Sequence, residues 1–339
     1  MTLPSHIPLA VATRNAHIER VHWGSVAVVD ADGVLLAYAG DPQAFVFSRS
    51  TLKPFQALAF VRDGGPEHFG FTDEELALTC ASHGGEQVHV DAVTSMLAKI
   101  NVAEPDLRCG VHIPNYYNEN NLPPRGSFFD QRHHNCSGKH AGFLGYCCMH
   151  GYAHAQYLER DHELQRQISR NVSRLSGESE SDLWVGIDGC SAPNFGMPLS
   201  SLALMWARLA TGKSPDGAST EAALNRIYAA MAAHPMMVSG TGRCDLALAQ
   251  ASNGNWVAKV GADGLHTIGV RDTGIGVAVK IADGDFSAVY ATSLAVLGQL
   301  GLPLQTEGTA LARWADPVLR NVRGMEVGRL KSTAQLTWV

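Results

Sequence analysis

The chain has 339 residues, 45% of them hydrophobic, with a formal net charge of −6. That length excludes a small module and leaves one large or two intimately joined domains. The composition excludes disorder, and an acidic balance without lysine or arginine runs excludes nucleic acid as the expected partner. Seven cysteines, two of them adjacent at Cys147 and Cys148, do not read as a disulfide framework. No charged n-region opens the chain, and Pro4 and Pro8 interrupt its first apolar residues, so no signal peptide is expected. No run approaches the roughly 18 apolar residues of a membrane span. The expectation is a soluble, cytoplasmic protein.

Apolar residues flank the aspartate–glycine turn Asp30-Ala31-Asp32-Gly33, so 21–30 and 34–39 predict a hairpin. Phe45-Val46-Phe47 leads into a helix with Phe55, Leu58, Ala59 and Val61 as its apolar positions, and Pro54 suits only its first turn. Thr72-Asp73-Glu74-Glu75 has the form of a capping box; the helix it opens ends in the corner Cys80-Ala81-Ser82-His83-Gly84-Gly85. A helix over 86–100 and a long polar loop over 115–132 follow. The loop ends in Asn135-Cys136-Ser137-Gly138-Lys139-His140 and feeds an apolar helix through Phe143, Leu144 and Tyr146. Next come a charged amphipathic helix over 158–175, a surface turn over 176–182 and a buried strand over 183–187 that stops at Asp188-Gly189-Cys190. Helices are expected over 199–209 and 221–233, then a loop rich in helix breakers over 234–243 with a short helix after it. The last block reads as strands over 256–261, 265–270 and 274–281, a helix over 291–300, and a peripheral tail after Asp316. Strands at both ends and helices mostly between them predict an α+β fold, one mainly antiparallel sheet with helices on its faces and an inserted helical region. The chain is expected to form a single catalytic domain over 1–339, its sheet region about 15–65 and 250–305 and its helical region about 70–245.

Three pieces carry chemistry. Ser50 and Lys53 stand three apart at a helix start, where side chains share a face. A lysine activates a hydroxyl only when it can be neutral, desolvated or beside another cation. Ser82 sits in a glycine-rich corner, and Lys259-Val260-Gly261 lies on a C-terminal strand. Ser-x-x-Lys, a serine in the helical region and a Lys-x-Gly strand appear in that order in penicillin-recognising serine hydrolases. Each alone has a plainer reading: an N-cap with a solvated lysine, a turn serine, a strand lysine. Together they suggest a serine nucleophile with lysine bases and an acyl-enzyme. Arg49 is a candidate fork for a substrate carboxylate. Cys136 and Cys190, at separate corners, could serve a zinc ion or simply be core thiols or a redox pair.

These strings, with His234-Pro235, Gly240-Thr241-Gly242-Arg243 and Gly261-Ala262, give the chain its resemblance to the L-asparaginase II family, the rhizobial type, over nearly its whole length. The resemblance implies a homodimeric amidohydrolase that converts L-asparagine into L-aspartate and ammonia, on a fold similar to serine β-lactamases and serine-dependent glutaminases. It implies two catalytic pairs, Ser50 with Lys53 and Ser82 with Lys259. Substrate contacts fall on Arg49, His83 and Asp188, and a Zn²⁺ site on Cys136, Lys139 and Cys190. Asp263 stands where the family pattern has glutamate, which bears on amide preference. A glutaminase or another serine amidohydrolase is the alternative on the same scaffold; a non-catalytic zinc-binding protein is the alternative from another class.

Overall fold

The computed structural model describes residues 3–124 and 128–339. Residues 1–2, where the expected chain start lies, and 125–127 of the expected polar loop fall outside the described residues. The strands are β1 (Ile7–Arg14), β2 (His17–Asp30), β3 (Leu35–Ala39), β4 (Phe45–Phe47), β5 (Trp184–Ile187), β6 (Pro193–Pro198), β7 (Trp256–Gly261), β8 (Leu265–Val270), β9 (Ile275–Ile281), β10 (Val318–Arg320), β11 (Glu326–Ser332) and β12 (Thr337–Trp338). Among the described residues, nine of them form one antiparallel sheet in the order β10-β11-β1-β2-β9-β8-β7, with β3 on β2 and β12 on β3. A second antiparallel sheet, β4-β6-β5, lies beside the helical region.

The two-residue period of β2 divides the core. Val26 and Val28 face one side with Leu9, Val277, Val279 and the helix Phe286–Gln299; Ala27 and Val29 face the other with the helix Leu199–Thr211 and the inserted helices. Helix Leu199–Thr211 lies unusually close to the sheet. Gly269 and Gly276 are directly opposite on β8 and β9, and a Cβ on them would come within 2.5 Å of the Trp206 carbonyl oxygen and 1.9 Å of the Ala203 carbonyl oxygen. The architecture is α+β, with helices on both sheet faces and helices Asp73–Thr79, Gln87–Lys99, Ser137–His150, Glu163–Ser176 and Ala218–Ala233 between the two strand-forming ends.

Local rules explain most boundaries. The capping box at Thr72 forms as expected: its hydroxyl accepts from Glu75 N at 3.2 Å and Glu75 accepts from Thr72 N at 2.7 Å. The amphipathic helix expected from residue 158 begins at Glu163, because the His162 ring accepts from Leu164 N at 3.2 Å and caps it there. The strand at Trp184–Ile187 exists but is not buried, with Trp184 70% and Ile187 85% exposed. The tail after Asp316 is not peripheral either. β11 pairs with β1 and β12 with β3, so the final residues close the sheet on strands more than 290 positions earlier in the chain.

Candidate active site

The turn 49–52 carries Ser50 between strand β4 and helix Lys53–Arg62. Buried Ser48 donates to Phe195 O at 2.9 Å and Asn194 Oδ1 at 3.0 Å, while the Arg49 N–H donates to the same Asn194 oxygen at 3.0 Å. Thr51 Oγ1 closes the turn on Ser48 O at 2.5 Å. Arg49 is held at φ +46°, a left-handed conformation costly for a residue with a Cβ. The turn is therefore locked from the β6 side, and Ser50 is presented half-buried with no hydrogen-bond partner for its hydroxyl among the described residues.

The i, i+3 spacing leads one to expect Lys53 against Ser50, but its hydrogen bonds go elsewhere. Lys53 is 1% exposed, and its Nζ donates to Ala81 O at 2.6 Å, Ser82 Oγ at 2.8 Å and Asn135 O at 3.4 Å. Three acceptors around three donors suit an ammonium. The reason is the close approach of the corners beneath it. Helix Ser137–His150 packs onto helix Asp73–Thr79 at Gly138, where a Cβ would sit 2.4 Å from Leu78 O. That contact gathers the Ala81–Ser82 corner and Asn135 under the lysine. Buried Ser82 is further fixed by its N–H on Val238 O at 3.1 Å and by the Arg243 guanidinium on its carbonyl.

Lys259 is of the other kind. It is fully buried, and its Nζ has one acceptor, Val260 O at 2.8 Å. Burial, then the Lys53 charge and that of Arg243, push its pKa well below the lysine range, with Asp245 and Cys136 opposing. Residues 257, 259 and 261 face the same side of β7. Gly261 lies directly under the turn, a Cβ there meeting Thr51 at 3.1 Å and Arg49 at 3.4 Å. Lys259 thus faces the side on which the Ser50 turn sits, one residue pair along the strand. One lysine is solvated by protein carbonyls as a cation; the other is stripped of solvent and favours the free amine.

Arg49 reaches out between two carboxylates, its Nε on Asp188 Oδ1 at 2.9 Å and an Nη on Asp263. Asp263 has φ +57° in the β7–β8 turn, where aspartate is better tolerated than longer side chains, a local reason for the shorter acid. Arg49, Asp263, Asn194 and Lys280 line a cavity of about 430 Å³ walled by Phe45, Phe47 and Ile187. A larger groove of about 620 Å³ between 13–16 and 326–331 holds none of the candidate residues. His83 stands apart from that cavity. Ser137 Oγ donates to Arg132 O at 2.8 Å, so His83 Nε2 donates to Ser137 at 2.9 Å while Nδ1 accepts from Gly85 N at 3.1 Å. With both nitrogens engaged and burial holding its pKa well below the usual range, it braces the Ser82 corner as a neutral ring.

Cys136, Lys139 and Cys190 do converge. Lys139 Nζ lies 2.9 Å from Cys190 Sγ, and the Cys136 thiol lies 3.5 Å from Asn135 Oδ1. The neighbouring Cys136, then Lys139 and His140, pull the Cys190 thiol far down against its burial, whereas Cys136 is pushed up. Burial works against the Lys139 charge, but Cys190, Cys136 and Asp188 outweigh it and raise its pKa. Beside Cys190, His140 Nδ1 lies 2.6 Å from Tyr157 Oη, and its buried Nε2 faces the sulfur without a well-formed hydrogen bond among the described residues. A thiolate and a thiol suit a soft divalent cation in donor chemistry, whereas Lys139 stands there as an ammonium and could donate only after losing its proton. Among the described residues no group of three His, Cys, Asp or Glu side chains gathers to hold a metal, so a third donor would have to be Lys139.

Two elements of the site carry no local signature. Asn194, which clamps the turn, belongs to no motif and acts from 145 residues away. Arg243 lies in a glycine-rich string that gives no hint that it holds Ser82 O. No helix among the described residues is long and apolar enough to cross a membrane.

No curated protein matches the chain. Among solved structures it is similar to a beta-lactamase from Mycobacterium bovis, at 15% identity and a TM-score of 0.41, over 82% of this chain and 95% of that one; nothing is rested on so distant a likeness. A model of L-asparaginase II matches residues 10–332. With nearly the full length matched, and the serine–lysine corners in the order described above, the chain belongs to the L-asparaginase II family, hydrolases that act on amides.

Proposed function

We propose that the protein is an L-asparaginase in which Ser50 attacks the side-chain amide of L-asparagine and Lys259 serves as base. The observation that carries this reading is the contrast between the two buried lysines: Lys53 Nζ, with three acceptors, is hydrogen-bonded to Ser82 at 2.8 Å, while Lys259 has one carbonyl at 2.8 Å and a depressed pKa. The Lys259 amine takes the Ser50 proton as the oxygen adds to the amide carbon. The N–H of Ser50 itself holds the oxyanion, since those of Arg49 and Thr51 are committed to Asn194 and Ser48. Ser82, oriented by the Lys53 ammonium, relays the proton held by Lys259 to the leaving nitrogen, so ammonia departs from a Ser50 acyl-enzyme and Lys259 is a free amine again. Water, deprotonated by that amine, adds to the acyl carbon; the proton returns to Ser50 as its bond to carbon breaks and L-aspartate leaves.

Arg49 receives the substrate α-carboxylate, exchanging one of its two carboxylate partners for it. Asp188 holds the guanidinium in place. A zinc ion would be held by Cys136, Lys139 and Cys190, supplying a fixed positive charge that polarises bound substrate. Lys139 must then give up its proton. The functional unit is a homodimer of this chain, with L-asparagine as its small-molecule partner in the cytoplasm. Ammonia release from L-asparagine and L-glutamine, and nitrocefin hydrolysis, each with and without chelator, test the reading together. Turnover of L-asparagine supports it; nitrocefin hydrolysis with no ammonia from either amino acid overturns it.

A further inference from the structure

Behind Lys259 lies a buried polar chain that the reaction as written does not use. Asp245, on the helix Cys244–Gln250, accepts the N–H of Val260, the residue after Lys259, through Oδ2 at 2.8 Å. Its other oxygen, Oδ1, is 3.2 Å from His266 Nε2 on β8. His266 Nδ1 lies 2.9 Å from Ser293 Oγ, which donates its single proton to Val289 O at 2.7 Å. Asp245 is 5% exposed, and His266 and Ser293 are both fully buried.

Counting protons along this chain leaves little freedom. The Ser293 hydroxyl hydrogen is used on Val289, so Nδ1 of His266 must carry a hydrogen to give to Ser293. Nε2 and Asp245 Oδ1 approach to 3.2 Å without the alignment of a hydrogen bond, and among the described residues neither has another partner. Burial works against the charge of the Asp245 carboxyl, but the neighbouring His266, then Lys259 and Arg243, hold it well below the usual range.

We propose that Asp245 and His266 are positioning residues that fix the strand beside Lys259 and set how readily its amine takes and releases the catalytic proton. The inference rests on the serine–lysine reading above. Other groups face the same lysine: Lys53 from its helix, Cys80 and Cys136 from the two corners, and Arg243 from the glycine-rich loop. Around Asp245 stand Tyr290, Cys244 and Arg243 in addition to His266 and Lys259. Of these, Asp245 alone combines a negative charge with a hydrogen bond to the β7 backbone next to Lys259. Its carboxylate favours the ammonium, and His266, 3.2 Å from its other oxygen, limits how it can turn.

The test is the pH profile of kcat/KM for ammonia release in the unaltered enzyme, Asp245→Asn and His266→Gln. Asparagine at 245 keeps its oxygen on the Val260 N–H while removing the charge. Without the carboxylate Lys259 holds its proton less well, so the acid limb moves to lower pH. A shift of about one unit raises activity on that limb about tenfold relative to the plateau. His266→Gln keeps the carboxylate but frees it to turn, so the limb moves the same way by less. Shifts in that direction support the proposal, and either one alone supports it if the other variant does not fold. Limbs unmoved in active variants, or loss of folding in both by circular dichroism, reduce the pair to scaffold and overturn it. An unaltered enzyme that releases no ammonia at any pH contradicts the asparaginase reading instead, a separate result.

Discussion

Asn194→Ala removes the side chain that clamps the backbone of the Ser50 turn. Two donors converge on Asn194 Oδ1, the Ser48 hydroxyl at 3.0 Å and the Arg49 N–H at 3.0 Å, and the residue is 4% exposed. Ser48 keeps its bond to Phe195 O at 2.9 Å, so its loss is at the low end of a neutral hydrogen bond, about 0.5 kcal/mol. The Arg49 N–H has no replacement, and stranding a buried donor costs about 1–3 kcal/mol. Arg49 also sits at φ +46°, a strain on the order of 1 kcal/mol that the clamp helps to maintain. The two hydrogen-bond losses predict about 1.5–3.5 kcal/mol in urea unfolding, offset in part by strain that a relaxed turn releases. If the turn relaxes, Ser50 is displaced, and a misplacement of about 1 Å costs roughly 10²-fold in turnover. Urea denaturation and ammonia release measured on the same preparation check both halves. A variant within about 0.5 kcal/mol of the parent, with unchanged kcat, would refute the reasoning, because the turn would then hold itself.

Lys259→Met is expected to trade activity for stability. In the folded chain the amine gives up its proton below the ordinary lysine range, so between those two pKa values the unfolded chain binds more protons. Stability therefore rises as pH rises through that window and is lost as pH falls. Methionine removes the buried amine; urea unfolding at neutral pH should show a gain of roughly 1–4 kcal/mol, with the alkaline rise abolished and no turnover. Two glycine substitutions should move in opposite directions in thermal unfolding. Gly276→Ala drives a Cβ to 1.9 Å from Ala203 O and should cost at least about 1–3 kcal/mol. Gly298→Ala, on an exposed helix position with nothing within 4 Å, should gain about 0.5–1 kcal/mol. Elemental analysis should find zinc in the purified protein and almost none in Cys190→Ser; equal content in both would remove these thiols from the metal account.

What was legible in the sequence follows the range of the interactions. The hairpin over 21–39 and the strands from 256 to 281 were readable because alternation and Asp-Gly turns act within a few residues. The serine–lysine corners were readable as strings, but their pairing was not. A three-residue spacing points Lys53 at Ser50, whereas carbonyls at 81 and 135 draw it to Ser82. The tail was misread because only Gly328 and Leu330 of β11 are buried, and its partner β1 has a proline as its second residue. Asn194, Asp245 and His266 were invisible for one reason: each works on a residue brought near only by folding.

The central claim is that Ser50 is the attacking hydroxyl, and its direct test is ammonia release from L-asparagine by Ser50→Ala, with unfolding monitored on the same sample. A folded variant with turnover down on the order of 10⁴-fold or more is the predicted result, as removal of a nucleophile from an assembled site entails. A folded variant that still releases ammonia within about tenfold of the parent would move the chemistry off this turn and contradict the account.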